Sequence, residues 1–167
     1  MSLQPGAVAP AFALPAKPGE IVDVGRSIGR KPVVLLFFPL AFSPVCSDEM
    51  CHFRDHWEQW DSLDADLFGV SVDSPFVTDK FRREMNIPFP VLSDFNREAA
   101  RSYDVLHEDL FGMKGVAKRS AYVIGADGTI RYAWVTDDPG VQVNFEEIRA
   151  AVEQESVGGE ERGEGAK

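Results

Sequence analysis

The run Val33-Val34-Leu35-Leu36-Phe37-Phe38 constrains this chain more than any other stretch. A continuous apolar, partly β-branched run suits a strand buried on both faces, which places it inside a sheet covered by helices. A helix start follows almost at once. Ser43 stands where an N-cap belongs, and Pro44 falls at the first helical position, where a missing N–H costs nothing. From Pro44 the pattern predicts a helix to about Trp60, with Cys46, Met50, Phe53, Trp57 and Trp60 on one face.

Further along, strand and helix signals alternate. Residues 67–72 (LFGVSV) read as a strand, Asp73-Ser74-Pro75 as the start of a helix ending near Met85, and PVLSD as a short strand. A short helix fits residues 97–103. Residues 120–125 and 129–135 read as a hairpin turning through Ala126-Asp127-Gly128. Asn144 caps a last helix, FEEIRAAVEQ, and near the N-terminus AFAL and EIVDV suggest a further hairpin. This order predicts an α/β fold with a central mixed β-sheet flanked by helices.

At 167 residues the chain is long enough for one domain with a substantial core. We assign that domain to residues 1–154. Residues 155–167 (ESVGGEERGEGAK) hold too little apolar surface to offset ordering entropy and read as a disordered acidic tail. Most of the net charge of −10 stays on the body. An acidic body argues against nucleic-acid binding. No apolar run approaches the roughly 20 residues of a membrane span, and MSLQPGAVAP lacks the signature of a secretory signal. The expectation is a cytoplasmic protein. Two cysteines are too few for a disulfide-stapled scaffold, and in a reducing compartment they point to catalysis or metal binding.

Cys46 is the third helical residue, where unpaired backbone N–H groups and the positive end of the helix dipole meet. A cysteine there is expected to have a lowered pKa and a larger thiolate fraction. The Ser43 hydroxyl can donate to that sulfur or to a bound oxygen. The competing reading is a small buried hydrophobe on a core-facing stripe. Cys51 lies five residues on, so on an intact helix it points about 140° away, with its Cα about 8–9 Å from that of Cys46. That exceeds the roughly 7 Å limit for a disulfide, so a bridge requires the first helical turns to unwind. Cys51 is otherwise a bystander. Cys46, Cys51, His52 and His56 are also possible metal ligands. Cys51 and His52 diverge by about 100°, however, and Cys46 belongs to the buried face, so no metal site is expected and both histidines read as surface residues.

The segment Pro39-xxx-Ser43-xx-Cys46 resembles the peroxiredoxin motif Pro-x-x-x-Thr/Ser-x-x-Cys, and the likeness extends from Gly6-Ala7-Val8-Ala9-Pro10 to the last helix. FFPLAFSPVC resembles the alkyl-hydroperoxide-reductase E group, whereas the Cys-x4-Cys spacing resembles the bacterioferritin-comigratory (Q-type) group. The resemblance implies a thioredoxin-like fold and a thiol peroxidase with neither heme nor metal. It implies that Cys46 is the peroxidatic nucleophile, and that Arg119, just before a late strand, stabilises the thiolate and the reacting oxygens. Ser43 would complete the donor set, Pro39 would shape the pocket, and Glu49 would hold an arginine in place or remain a solvated helix carboxylate. The two groups differ over Cys51. The first works with one active-site cysteine; the second resolves the sulfenate with the cysteine at this spacing, the reading favoured here. The expected partners are a peroxide, thioredoxin or a glutaredoxin-like reductant, and a second copy in a homodimer. Phe38, Phe42 and Phe111 either line an apolar mouth for alkyl peroxides or pack in the core. A thiol redox sensor is the alternative in a different class.

Overall fold

A computed structural model describes residues 3–165, with side chains through Glu155. Its centre is a five-stranded sheet. β3 (Val33–Phe37) lies in the middle and is buried at every residue, as the apolar run predicts. β4 (Asp66–Ser71) pairs with it in parallel, and β5 (Val91–Ser93) extends that edge, also in parallel. On the other side β6 (Ser120–Ile124) runs antiparallel to β3, and β7 (Ile130–Val135) closes the hairpin. The strand order is β5-β4-β3-β6-β7. The N-terminal hairpin forms separately as β1 (Ala13–Lys17) and β2 (Glu20–Asp23).

Successive side chains of a strand point to opposite faces, so β3 feeds two cores. Val33, Leu35 and Phe37 face Tyr103, Tyr122 and the small residues Ala99 and Ala100. Those alanines belong to α4 (Glu98–Ser102). Val34 and Leu36 face the opposite core, built from α1 (Pro44–Asp55), α3 (Pro75–Glu84) and the last helix α5 (Phe145–Gly165) through Cys46, Met50, Phe53, Phe81, Ile148 and Val152. The mixed sheet with helices on both faces is therefore realised.

Two elements differ from the sequence pattern. The helix from Pro44 does not run unbroken to Trp60. It stops at Asp55, His56 leaves helical geometry (φ −115°, ψ 24°), and a separate turn, α2 (Trp57–Asp61), follows. His56 Nδ1 lies 2.9 Å from the His52 carbonyl oxygen, which also accepts the His56 N–H. The ring thus folds back on the turn where the helix ends, adding a contact to a carbonyl that keeps its His56 N–H. Trp60 still reaches Phe53, ring centroids 4.8 Å apart. The second difference is at the C-terminus. Helical backbone continues past Gln154 to Gly165, although apolar periodicity ends at Val152. Glu155, read as the first tail residue, pairs with Arg131 at 3.2 Å. The remaining side chains of the 155–167 tail lie outside the described residues.

Candidate active site

Pairing between β3 and β6 assembles the site. Phe37 stands opposite Ser120, so Arg119 is delivered to the point where the chain leaves β3 for α1. There the chain makes a turn from Pro39 to Ser43. Ser43 has the extended backbone of an N-cap (φ −71°, ψ 149°), Pro44 opens the helix, and Cys46 is its third residue. The Ser43 side chain does not cap. Its hydroxyl donates to the Leu40 carbonyl at 2.8 Å, closing the turn on itself rather than pointing at the sulfur.

Cys46 is fully buried, and Arg119 is 1 % exposed. Arg119 Nη2 donates to Cys46 Sγ at 3.0 Å and to the Pro139 carbonyl at 3.0 Å. Nη1 of the same guanidinium lies 3.3 Å from Glu49 Oε2, an ion pair without hydrogen-bond alignment. The other Glu49 oxygen accepts the Val143 N–H at 3.1 Å. Glu49 is fully buried, which excludes the solvated-carboxylate alternative. Burial pushes its carboxyl up from the usual range, against the opposing pull of the Arg119 charge and the Val143 N–H. A thiol, a guanidinium and a carboxylate, from the first two turns of α1 and the foot of β6, thus form one buried chain.

The thiol and guanidinium sit at the base of an open cavity of about 360 Å³, lined mainly by Pro39, Leu40, Val45, Leu110, Phe111 and Met113 beside Ser43. Leu110, Phe111 and Met113 come from a segment the sequence pattern does not assign. Leu106 pairs with Ala117 and Leu110 with Met113, so residues 106–117 fold back on themselves as a flap. Its glycines, Gly112 and Gly115, adopt positive φ (84° and 83°) and are the available sequence signal for it. Of the three phenylalanines considered for the mouth, Phe38 is core. Phe42 packs edge-on against Phe81 at 5.2 Å, and Phe111 lines the cavity while 83 % exposed.

Asp73 is a further residue of this region that motif reasoning passes over. Its Oδ2 accepts the Ala41 N–H and the Ser71 hydroxyl, both at 2.7 Å, and its carbonyl accepts the Ser93 hydroxyl at 2.6 Å.

Cys51 is half-buried on the same intact helix, and both cysteines are free thiols. His52, beside it, is not a simple surface residue: its ring stacks on Phe145 at 3.6 Å and on His56 at 4.3 Å. Burial is the first cause lowering the His52 pKa, with the neighbouring His56 adding to it. Among the described residues no group of three or more His, Cys, Asp or Glu side chains is arranged to hold a metal ion.

Known proteins share this architecture. The AhpC/TSA family model matches residues 5–133. A putative peroxiredoxin bcp of Coxiella burnetii is 34 % identical over 137 residues, covering 80 % of this chain and 89 % of the relative. Alkyl hydroperoxide reductase E of Mycobacterium tuberculosis is 33 % identical over 133 residues, covering 78 % of this chain and 84 % of that protein. The crystal structure of the peroxidoxin BcpB from Mycobacterium tuberculosis superimposes with a TM-score of 0.80 at 26 % identity, covering 91 % of this chain and 97 % of that one. A peroxiredoxin-like protein from Aquifex aeolicus gives a TM-score of 0.82 at 25 % identity, covering 93 % and 89 %. The thioredoxin-like fold implied by the motif is thus the fold of the chain. With the family model, the relatives and the superimposed structures in agreement, the chain belongs to the AhpC/TSA family of peroxiredoxins and is a thiol-dependent peroxidase.

Proposed function

We propose that Cys46 is the peroxidatic thiol and Cys51 its resolving partner. The observation that carries the first assignment is the 3.0 Å contact from a buried guanidinium to the buried sulfur at the base of an accessible cavity. The thiolate is the reactive form of cysteine. It attacks one peroxide oxygen: an S–O bond forms, the O–O bond breaks, and the released alkoxide or hydroxide leaves as alcohol or water after taking a proton. Sulfur is oxidised by two electrons to sulfenic acid. Arg119 acts twice, as the countercharge to the thiolate and as a donor toward the oxygen on which charge develops. Glu49 and the Pro139 carbonyl hold the guanidinium at the sulfur. Pro39 walls the cavity, and Ser43 closes the turn beside it. The apolar lining supports organic hydroperoxides as substrates alongside hydrogen peroxide.

Resolution follows when the Cys51 thiolate attacks the sulfenate sulfur. An S–S bond forms, the S–O bond breaks, and water leaves after protonation. Five positions on a helix separate the sulfurs too far for this, so α1 must open first. It extends only to Asp55 before the break at His56, which leaves a single turn beyond Cys51 to be released. A dithiol reductant of thioredoxin or glutaredoxin type then returns both thiols by exchange.

Intact-mass measurement after one equivalent of peroxide tests the scheme. A loss of about 2 Da in the wild type and a gain of about 16 Da in Cys51→Ser is expected from disulfide and sulfenate chemistry. A gain in both assigns a one-cysteine mechanism, and peroxide consumption by Cys46→Ser overturns the assignment of the nucleophile. The cytoplasm fits the bacterial relatives, whereas three plant relatives are named chloroplastic. A homodimer fits the exposed Phe76 and Phe95, which border one depression that a second copy would cover. Light scattering should then return twice the 18.5 kDa chain mass; the chain mass alone would exclude it.

A further inference from the structure

We propose that Asp73 is a positioning residue for peroxide reduction, acting through the Ala41 amide on the turn that carries Pro39 and Ser43. This rests on Cys46 being the oxidised thiol. The turn is strained: Phe42 has φ +69°, a left-handed conformation that a bulky aromatic residue avoids. Such a conformation persists only where its surroundings over-determine it. Two polar contacts of the structure do so. The Ser43 hydroxyl bonds back to the Leu40 carbonyl within the turn. Asp73 Oδ2 accepts the N–H of Ala41, immediately before the strained residue, at 2.7 Å.

Asp73 is itself fixed. Buried Ser71, the last residue of β4, donates its hydroxyl to the same carboxylate oxygen, and buried Ser93, the last residue of β5, donates to the Asp73 carbonyl. The carboxylate thereby refers the turn to the ends of two adjacent strands. A hydrogen bond to a charged acceptor is shorter and stronger than a neutral one, which suits a contact that must hold strain. Val72 beside it packs with Leu40, Leu110 and Met113, so the anchor continues into the cavity wall. Releasing Ala41 lets the turn relax at Phe42, shifting Pro39 and Ser43 relative to the first-turn N–H groups, while Arg119, held by Glu49 and the Pro139 carbonyl, stays on the sulfur. The thiol remains, but the donors that meet a peroxide lose their alignment.

The experiment compares two reactions of the Cys46 thiol in the full-length protein: its rate constant with hydrogen peroxide, and its rate constant with iodoacetamide, a thiol reagent that needs no aligned peroxide donors. For Asp73→Ala we expect the peroxide rate constant to fall about ten- to hundredfold, with alkylation within about twofold of wild type. Asp73→Asn keeps an amide oxygen for the Ala41 N–H and should recover most of the loss. In the wild type, the Ala41 amide should be protected from hydrogen exchange, a measurement that stands even if the alanine variant does not fold. An unprotected Ala41 amide overturns the proposal. So does an unchanged peroxide rate, a proportionate fall in both reactions, or a folded Asp73→Asn no better than Asp73→Ala. Peptide mapping of the oxidised wild type separates the two levels. Oxidation away from Cys46 sinks the assignment of the nucleophile and Asp73 with it; oxidation at Cys46 with an undiminished Asp73→Ala sinks the positioning role alone.

Discussion

Arg119 and Glu49 are both removed from water, and each depends on the other. Replacing Arg119 by Met leaves Glu49 buried with only the Val143 N–H as a partner. Breaking a buried pair from one side costs about 3–5 kcal/mol. Arg119→Met should therefore lower both the peroxide rate constant and the denaturation midpoint. Adding Glu49→Gln to it should restore part of the stability and none of the activity, which equilibrium denaturation and stopped-flow oxidation read separately. At this scale, legibility in the sequence follows how local an interaction is. Pro39, Ser43 and Cys46 stand within one motif whose cap and proline act on their own neighbours, so they can be read directly. Arg119 has no local signature and is marked only by the likeness to the family. Asp73 is out of reach of both, because its role is a hydrogen bond to an amide 32 positions away. The Ser43 hydroxyl, expected near the sulfur, is spent on Leu40, a choice between acceptors that only the folded turn decides.

The flap of residues 106–117 carries Leu110, Phe111 and Met113 of the apolar cavity wall. It is tied at its base by Arg97, whose Nε donates to the Gly115 carbonyl at 2.7 Å. Gly115 has φ +83°, and a Cβ there would lie 2.5 Å from that Nε. Gly115→Ala meets both objections at once and should destabilise the protein by about 1–2 kcal/mol. It should also raise KM for a bulky organic hydroperoxide more than for hydrogen peroxide, since the displaced wall touches only the larger substrate. An equal effect on both would remove the flap from substrate selection. The sequence pattern left this element unassigned for a physical reason: its fold-back uses isolated bridges, with neither the alternation of a strand nor the period of a helix. Regular elements were readable because their burial is periodic. The break at His56 was not, because no glycine or proline marks it and only the backbone of one residue departs from the helix.

Across the whole molecule, pH should act on stability through the two histidines held neutral. Burial lowers His52, helped by the charge of His56, and lowers His107, helped by Lys118; the ordinary value for both is 6.5. A group with a lowered folded value contributes stability present above its unfolded value and lost as pH falls from 6.5 through the folded value. Glu49 and Asp94 carry the opposite sign. Burial raises them, so acidification relieves the cost of keeping them charged. Thermal melts between pH 7.5 and 5 should therefore show a smaller acid loss in His52→Gln than in the wild type; parallel curves would remove His52 from the balance. The class of fold was legible at this scale because one doubly buried strand, flanked by alternating elements, leaves few ways to cover a sheet.

The ladder between β3 and β6 has a consequence beyond holding two strands together. With Phe37 opposite Ser120, the distance from guanidinium to sulfur is set by counting backbone hydrogen bonds along a ruler, not by moulding one surface to another. Each mark is about 3.3 Å, and odd and even marks face opposite cores. A single residue inserted at the start of β6 would leave a sheet of the same strands and order while turning Arg119 to the wrong side of it. Chemistry in this protein is thus as sensitive to the register of β6 on β3 as to the identity of any side chain.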